Sequence, residues 1–421
     1  MTTLIKQVKI ADPNSKYNGK IMDLVIEDQH IKTITQHYDG KVDKIIDQIG
    51  VSISPGFVDP FVQFCDPGME NRENLDSGAA AALVGGFTTV FTIPNTLPVV
   101  DTKSQVTYTK QHSQQVPIHI LPIGAISKKT EGKDLAEMID MHNHGAVAFS
   151  DGLLPVQSTL LFLKALQYVK AFDGVVIQMP IDKSLGSLGL MNEGILSTQL
   201  GLPGIPAIAE ELMISRDIEL LRYTQSKLHI TGVSTAKGLK MIATAKQEGL
   251  QISCSVTPYH LFYNEEALKN YDTLLKVNPP LRTKQDQVAL LKGIEDGTID
   301  CISAHHMPQD WDGKTIEFEN ALAGIASIET CFASIQHLFP KLSTNRLAEL
   351  FAVNARSIFN LDAATIQEGA IAECTLFTNS LTTHITQQQS KSKSANSPFW
   401  NQTFNGKVLG AYVKGNIYIN N

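Results

Sequence analysis

The chain has 421 residues, 43% of them hydrophobic and 18% charged, with a formal net charge of -7. That length suits one large domain plus a smaller one around a sizeable core. An acidic balance without a basic cluster argues against nucleic-acid binding, and no apolar run reaches the roughly 18–20 residues of a membrane helix.

The first residues, Met1-Thr2-Thr3-Leu4-Ile5-Lys6, lack the apolar core of a signal peptide. Residues 1–53 alternate β-branched and polar positions, and short strands are predicted over 21–26 and 31–34. The C-terminal part, 366–421, reads the same way, with strands over 372–377 and 407–413. Two β-rich ends around a different middle predict one small β-sandwich built from both termini.

The middle, residues 54–365, alternates short apolar strands with helical stretches. Strands are predicted over 57–64, 88–93, 118–123, 146–149, 175–178, 228–231, 251–256 and 301–304. Helical patterns lie between them, as over 207–221 after Pro206 and over 236–248. Eight strands with intervening helices predict a (β/α)8 barrel, whose chemistry would sit just past the C-terminal strand ends. Residues 387–394, a run of Gln, Ser and Lys, read as a mobile surface loop. The five cysteines, Cys65, Cys254, Cys301, Cys331 and Cys374, are scattered and form no Cys-x-x-Cys pair, which predicts reduced thiols in a cytoplasmic protein.

Several strand ends together resemble dihydroorotase of the class I type, in the amidohydrolase superfamily. The matching stretches are Pro55-Gly56-Phe57-Val58-Asp59, Gly85-Gly86-Phe87-Thr88-Thr89-Val90, Pro94-Asn95-Thr96-Leu97-Pro98 and Gly201-Leu202-Pro203-Gly204-Ile205-Pro206. Val233-Ser234-Thr235, Val277-Asn278-Pro279-Pro280-Leu281-Arg282 and the segment from Ser392 to Phe399 complete the set. The resemblance covers nearly the whole chain. It implies a zinc-dependent hydrolase that reversibly closes carbamoyl aspartate to dihydroorotate, with an aspartate moving the proton.

Carried over position by position, the implied site is mostly missing. The first-strand histidine pair falls at Phe61 and Gln63, and the arginine that follows it falls at Cys65. The fourth-strand aspartate is kept as Asp151. The fifth-strand histidine falls at Met179, or at Gln178 if the register slips by one. The sixth-strand histidine becomes Gly232, and the eighth-strand catalytic aspartate becomes His305. One carboxylate cannot hold a zinc ion that needs three or four protein ligands. Asn95 and Asn278 match substrate-binding positions, and Gln309 replaces a late-strand histidine.

Each singled-out residue has a plainer reading. Asn95 in a Pro-Asn-Thr sequence can form an Asx turn without any ligand, and Asn278 before two prolines has the same ambiguity. Asp59 can serve structure or chemistry. Cys65 can be a small buried apolar residue. His305-His306 can be a neutral pair in a polar pocket, since adjacent strand residues point oppositely. A zinc site outside the family pattern, from Asp151, His305 and Cys65, is the alternative. His142-Asn143-His144 precedes the fourth strand, away from the expected mouth, and reads as solvated.

Three functions compete at this level. The favoured one is a non-catalytic dihydroorotase-like protein that serves as a structural or regulatory partner, with aspartate transcarbamoylase or a second copy as the counterpart. The runner-up is an active cyclic-amide or ureide hydrolase with a rebuilt metal site. The third is a sensor that binds a small polar ligand through Asn95 and Asn278.

Overall fold

The computed structural model describes residues 2–48 and 50–420. Eight parallel strands follow one another in chain order: Phe57–Val62, Phe87–Thr92, His119–Gly124, Ala148–Phe149, Val175–Gln178, Lys227–Ile230, Ile252–Val256 and Cys301–Ile302. Helices such as Ile208–Thr224 and Ala236–Gln247 lie between them. This is the expected (β/α)8 architecture.

The strands are apolar on both faces because both are covered. One parity, including Val58, Phe91, Ile123, Val175 and Ile177, forms a cluster inside the barrel. The other, including Phe57, Val90, Ile120, Val176 and Ile230, packs against the helices. Phe57 stacks on Phe332 and Phe351 at 5.6 and 5.0 Å between ring centroids.

The strand ladder runs from the first strand to the eighth, and the Asp59 side chain and a backbone hydrogen bond close the remaining seam. The eighth strand is shorter than expected because the chain leaves the ladder at Ser303. There the Ser303 hydroxyl and the Ala304 N–H both donate to the Asp59 carboxylate, at 2.6 and 2.8 Å. One turn further on, the Gln63 N–H donates to the His306 carbonyl at 2.9 Å.

Both termini supply a second sheet, in the order Asn416–Ile419, Thr403–Val413, Cys374–His384, Ser52–Pro55, Thr2–Ile10, Ile21–Glu27 and His30–Thr35. Lys44–Ile46 pairs alongside Thr2–Ile10. The sheet has its own apolar core, with Ile5, Leu24, Ile53, Leu376 and Leu409 among its members. Glu373 joins the two parts. Its carboxylate accepts from Arg356 at 2.6 Å and from the Thr88 hydroxyl at 2.6 Å. Burial pushes this carboxyl up, but Arg356, His119 and Thr88 outweigh it and the net shift is downward.

The run of Gln, Ser and Lys near the C-terminus corrects the expectation of a mobile loop. Its serines and the amides that follow them rest on two buried carboxylates. Glu329 accepts from the Ser390 hydroxyl at 2.5 Å and the Lys391 N–H at 2.9 Å. Glu73 accepts from the Ser392 hydroxyl and from the Lys393 N–H at 3.2 Å. The Ser394 hydroxyl donates to the Arg72 carbonyl at 2.7 Å. The alternation that looks like low complexity is a strap with its hydroxyls inward. No helix among the described residues is long and apolar enough to cross a membrane.

Candidate functional site

At the end of the first strand Phe61 is fully buried inside the barrel. Its ring lies 4.6 Å from that of His305, tilted by 32°. His305 has φ +45° and its Nε2 meets the Thr231 hydroxyl at 2.6 Å. A Cβ built on Gly232 would lie only 2.8 Å from His305 Cε1. The His305 ring therefore occupies the room that a side chain at position 232 would need. Gly232 itself has φ +68°, a conformation that glycine adopts without strain. Phe61, Gly232 and His305 thus fill the barrel centre with each other.

The remaining positions are also engaged within the protein. Gln63 is buried and its Nε2 reaches the Asn95 carbonyl at 3.4 Å. Strand alternation resolves the open register of the fifth strand. Gln178 points outward, with its Nε2 3.9 Å from Met213 Sδ on the helix Ile208–Thr224, so Met179 has the inward parity. The Asp151 carboxylate faces Ser127, accepting its N–H at 2.9 Å and its hydroxyl at 2.5 Å. Burial raises the Asp151 carboxyl to about 6 against these hydrogen bonds. Cys65 is buried with φ +59°, and burial pushes its thiol up to about 12.

The three expected polar contacts separate. Asn95 clamps the loop after the fourth strand: its Nδ2 donates to the Asp151 carbonyl at 3.1 Å, and its Oδ1 accepts from the Leu153 N–H at 2.9 Å. The expected Asx turn is not formed: the side chain bonds a loop more than fifty residues away instead of its own turn. Asn278 is exposed. Gln309 is buried, donates to the Ala323 carbonyl at 3.0 Å and leaves its Oε1 unpartnered. His306 turns away from the barrel centre toward Glu73, at 3.3 Å, with its Nδ1 unpartnered. His142 stacks on Phe172 at 4.5 Å and His144 bonds the Asp140 carbonyl, which suits the solvated reading.

These residues do not fit zinc. Among the described residues no group of three or more His, Cys, Asp or Glu side chains converges to hold a metal ion. The alternative set of Asp151, His305 and Cys65 fails on the same ground, and Asp151 and His305 turn to Ser127 and Thr231. Sequence reasoning missed these two partners, as it missed Ser303 beside Asp59 and Glu73 beside His306. The regular Ser-x-Ser-x-Ser spacing from Ser390 to Ser394 was the one legible sign of the last.

What does converge at the barrel centre is a chain of neutral groups. Ser253 Oγ meets His229 Nδ1 at 2.8 Å, and His229 Nε2 meets Ser255 Oγ at 3.0 Å. Ser255 Oγ meets Thr231 Oγ1 at 3.0 Å, and Thr231 leads to His305. Burial holds His229 and His305 down to about 3, and His260 to about 4. Folded-state values below the unfolded value mean that the unfolded chain takes up more protons. Stability from these three histidines is complete above about 6.5 and is lost as the pH falls toward 4 and 3. Asp59, Asp151 and Asp217, raised to about 6 by burial, act oppositely. At pH 5 the histidines lose about 1.9 kcal/mol each and the aspartates return about 1.3 kcal/mol each. Lowering the pH from 7 to 5 should therefore cost a net of about 2 kcal/mol, read by urea denaturation at the two pH values. An unchanged or higher stability at pH 5 would show that the histidines are not held neutral.

Comparison with known proteins agrees with this architecture. A family model described as dihydro-orotase-like matches residues 50–238. The chain is 36% identical to the dihydroorotase of Syntrophus aciditrophicus, covering 99% of each chain. It is 38% identical to that of Acetivibrio thermocellus, covering 99% of this chain and 98% of the other. Among solved structures it is similar in fold to the L-hydantoinase (dihydropyrimidinase) of Arthrobacter aurescens, with a TM-score of 0.87 and 21% identity. That match covers 99% of this chain and 95% of the hydantoinase.

Proposed function

Because the chain belongs to the dihydroorotase family, we propose that it is a non-catalytic member of that pyrimidine-biosynthetic line. In this reading it serves as a structural or regulatory partner of another protein in the cytoplasm. Aspartate transcarbamoylase is the counterpart we would test first, and a second copy of the chain the next. One observation carries the reading: the His305 ring packs between Phe61 and Gly232, in the room a metal centre with ligands at 61 and 232 would take.

A second reading has support of its own. The curated relatives bear the name dihydroorotase at 34–39% identity over nearly the whole chain. That likeness favours an active cyclic-amide hydrolase over an inactive one, and says nothing of a partner. The hydrolase reading requires metal-free chemistry or a ligand set drawn from outside the family positions.

Two measurements on the purified protein decide between them. Elemental analysis should find less than about a tenth of a zinc per chain. Hydrolysis of dihydroorotate, with and without added zinc, should stay at the uncatalysed rate. Near one zinc per chain together with turnover would establish the hydrolase reading. Co-elution with aspartate transcarbamoylase on size exclusion tests the partner role; separate elution at micromolar concentrations would remove that counterpart.

A further inference from the structure

A cavity of about 1100 Å³ lies between the loop after the eighth strand and the C-terminal strap. Tyr263, Gln309, Trp311, Lys314, Lys393 and Trp400 are among its walls. Its size is that of a small-molecule site, and three aromatic rings offer faces for a planar ligand.

Lys314 is the unusual member. It is only 5% exposed. Its Nζ donates to the carbonyls of Thr273 at 2.8 Å and Lys276 at 3.3 Å. It forms no ion pair among the described residues, although lysines this deeply buried are normally paired with a carboxylate. A second buried lysine stands beside it. Lys276 Nζ also finds only carbonyls, those of Phe318 at 2.6 Å and Glu319 at 3.0 Å, and lies over the Phe318 ring.

Four charged groups surround the pair. Asp272, Asp310 and Lys393 line the cavity with Lys314, and the Glu319 charge acts on Lys276. Burial and the Lys276 charge push the Lys314 amine down to about 7, while Asp272 pulls it up. A desolvated amine next to another cation is unprotonated in a far larger fraction of molecules at neutral pH than an exposed lysine, and the unprotonated form is a nucleophile.

We infer that Lys314 is a covalent binding site for an aromatic aldehyde that enters this cavity and is held as an imine on Nζ. The Nζ lone pair attacks the carbonyl carbon. The resulting carbinolamine loses the former carbonyl oxygen as water, which carries off both amine protons. The step needs no oxidant or reductant and reverses by hydrolysis. The cavity shares Gln309 with the family's substrate positions but has none of Phe61, Gly232 and His305 among its walls, and its test does not depend on whether the protein hydrolyses amides.

The probe is pyridoxal at about one equivalent, trapped with sodium borohydride at pH 7 and located by peptide mass spectrometry. Lys314 should be modified at least roughly tenfold faster than exposed lysines, which are almost fully protonated at that pH. Lys276→Met removes the neighbouring cation. It should slow modification of Lys314 several-fold at pH 7 and leave it unchanged at pH 9.5. Lys314→Arg should abolish that adduct while the exposed lysines are modified as before. Modification that follows exposure, with Lys314 untouched in the wild-type peptide map, overturns the proposal even if neither variant folds. A Lys276→Met rate equal to wild type at pH 7 overturns the account of why the amine is reactive.

Discussion

Asp59→Ala should be the most damaging single truncation in the barrel. The carboxylate is fully buried and accepts three hydrogen bonds. Oδ1 takes the Ser303 hydroxyl at 2.6 Å and the Phe61 N–H at 3.1 Å, and Oδ2 takes the Ala304 N–H at 2.8 Å. It therefore ties the first strand to the chain leaving the eighth, where the ladder itself stops. Removing it leaves two buried N–H groups without partners and the Ser303 hydroxyl with only the Phe61 carbonyl at 3.4 Å, each loss costing about 1–3 kcal/mol. A total loss of about 3–6 kcal/mol is expected, a large part of the stability of an ordinary domain. Asp59→Asn keeps the shape and one acceptor and should cost less, roughly 1–3 kcal/mol. Urea denaturation followed by tryptophan fluorescence measures both. A loss under about 1 kcal/mol for the alanine variant would mean that the seam is held by other contacts.

Restoring the first-strand pair by Phe61→His and Gln63→His should recover neither zinc nor turnover. Met179, Gly232 and His305 would still stand at the other family positions and Asp151 is turned onto Ser127, so the ion would find two ligands where a catalytic site needs three. Adding Gly232→His alone should make matters worse. A side chain there meets the His305 ring at 2.8 Å and sits on a backbone with φ +68°, which costs a residue with a Cβ about 1–2 kcal/mol. His305 must leave before position 232 can be filled. The first combination expected to bind zinc is therefore Phe61→His, Gln63→His, Met179→His, Gly232→His and His305→Asp together, with Asp151 kept. Elemental analysis and dihydroorotate hydrolysis on the double and the fivefold variant test this order. Near one zinc per chain and measurable turnover in the double variant would show that the other strand positions have been matched wrongly.

These two expectations differ in how much of them could be read from residue order. The eight strands and the helices between them follow from apolar runs of the right length, because a strand buried on both faces needs little more than that. The membership of Phe61 and Gln63 in a first-strand pair follows from the motif around them. Asp59 was legible as a signature and not as a seam. Its partners Ser303 and Ala304 lie more than two hundred residues away, and no local pattern encodes such a pairing.

The same contrast holds at the site. That four ligand positions and the catalytic aspartate are lost was settled by side-chain type alone, since phenyl, thioether and glycine groups offer zinc nothing and an amide is a poor ligand. Where Asn95 and Asp151 point, and which of Gln178 and Met179 faces inward, needed the packed barrel. So did the tethering of the strap from Ser390 to Ser394, whose composition suggests mobility until Glu73 and Glu329 are placed beneath it. The low basicity of Lys314 has no signature at all in the order of residues. Residue type and short-range periodicity are properties of the chain, and they decide the fold class and what is chemically missing. Burial, hydrogen-bond partners and charge neighbours exist only once distant segments meet, and those decide what the remaining side chains do.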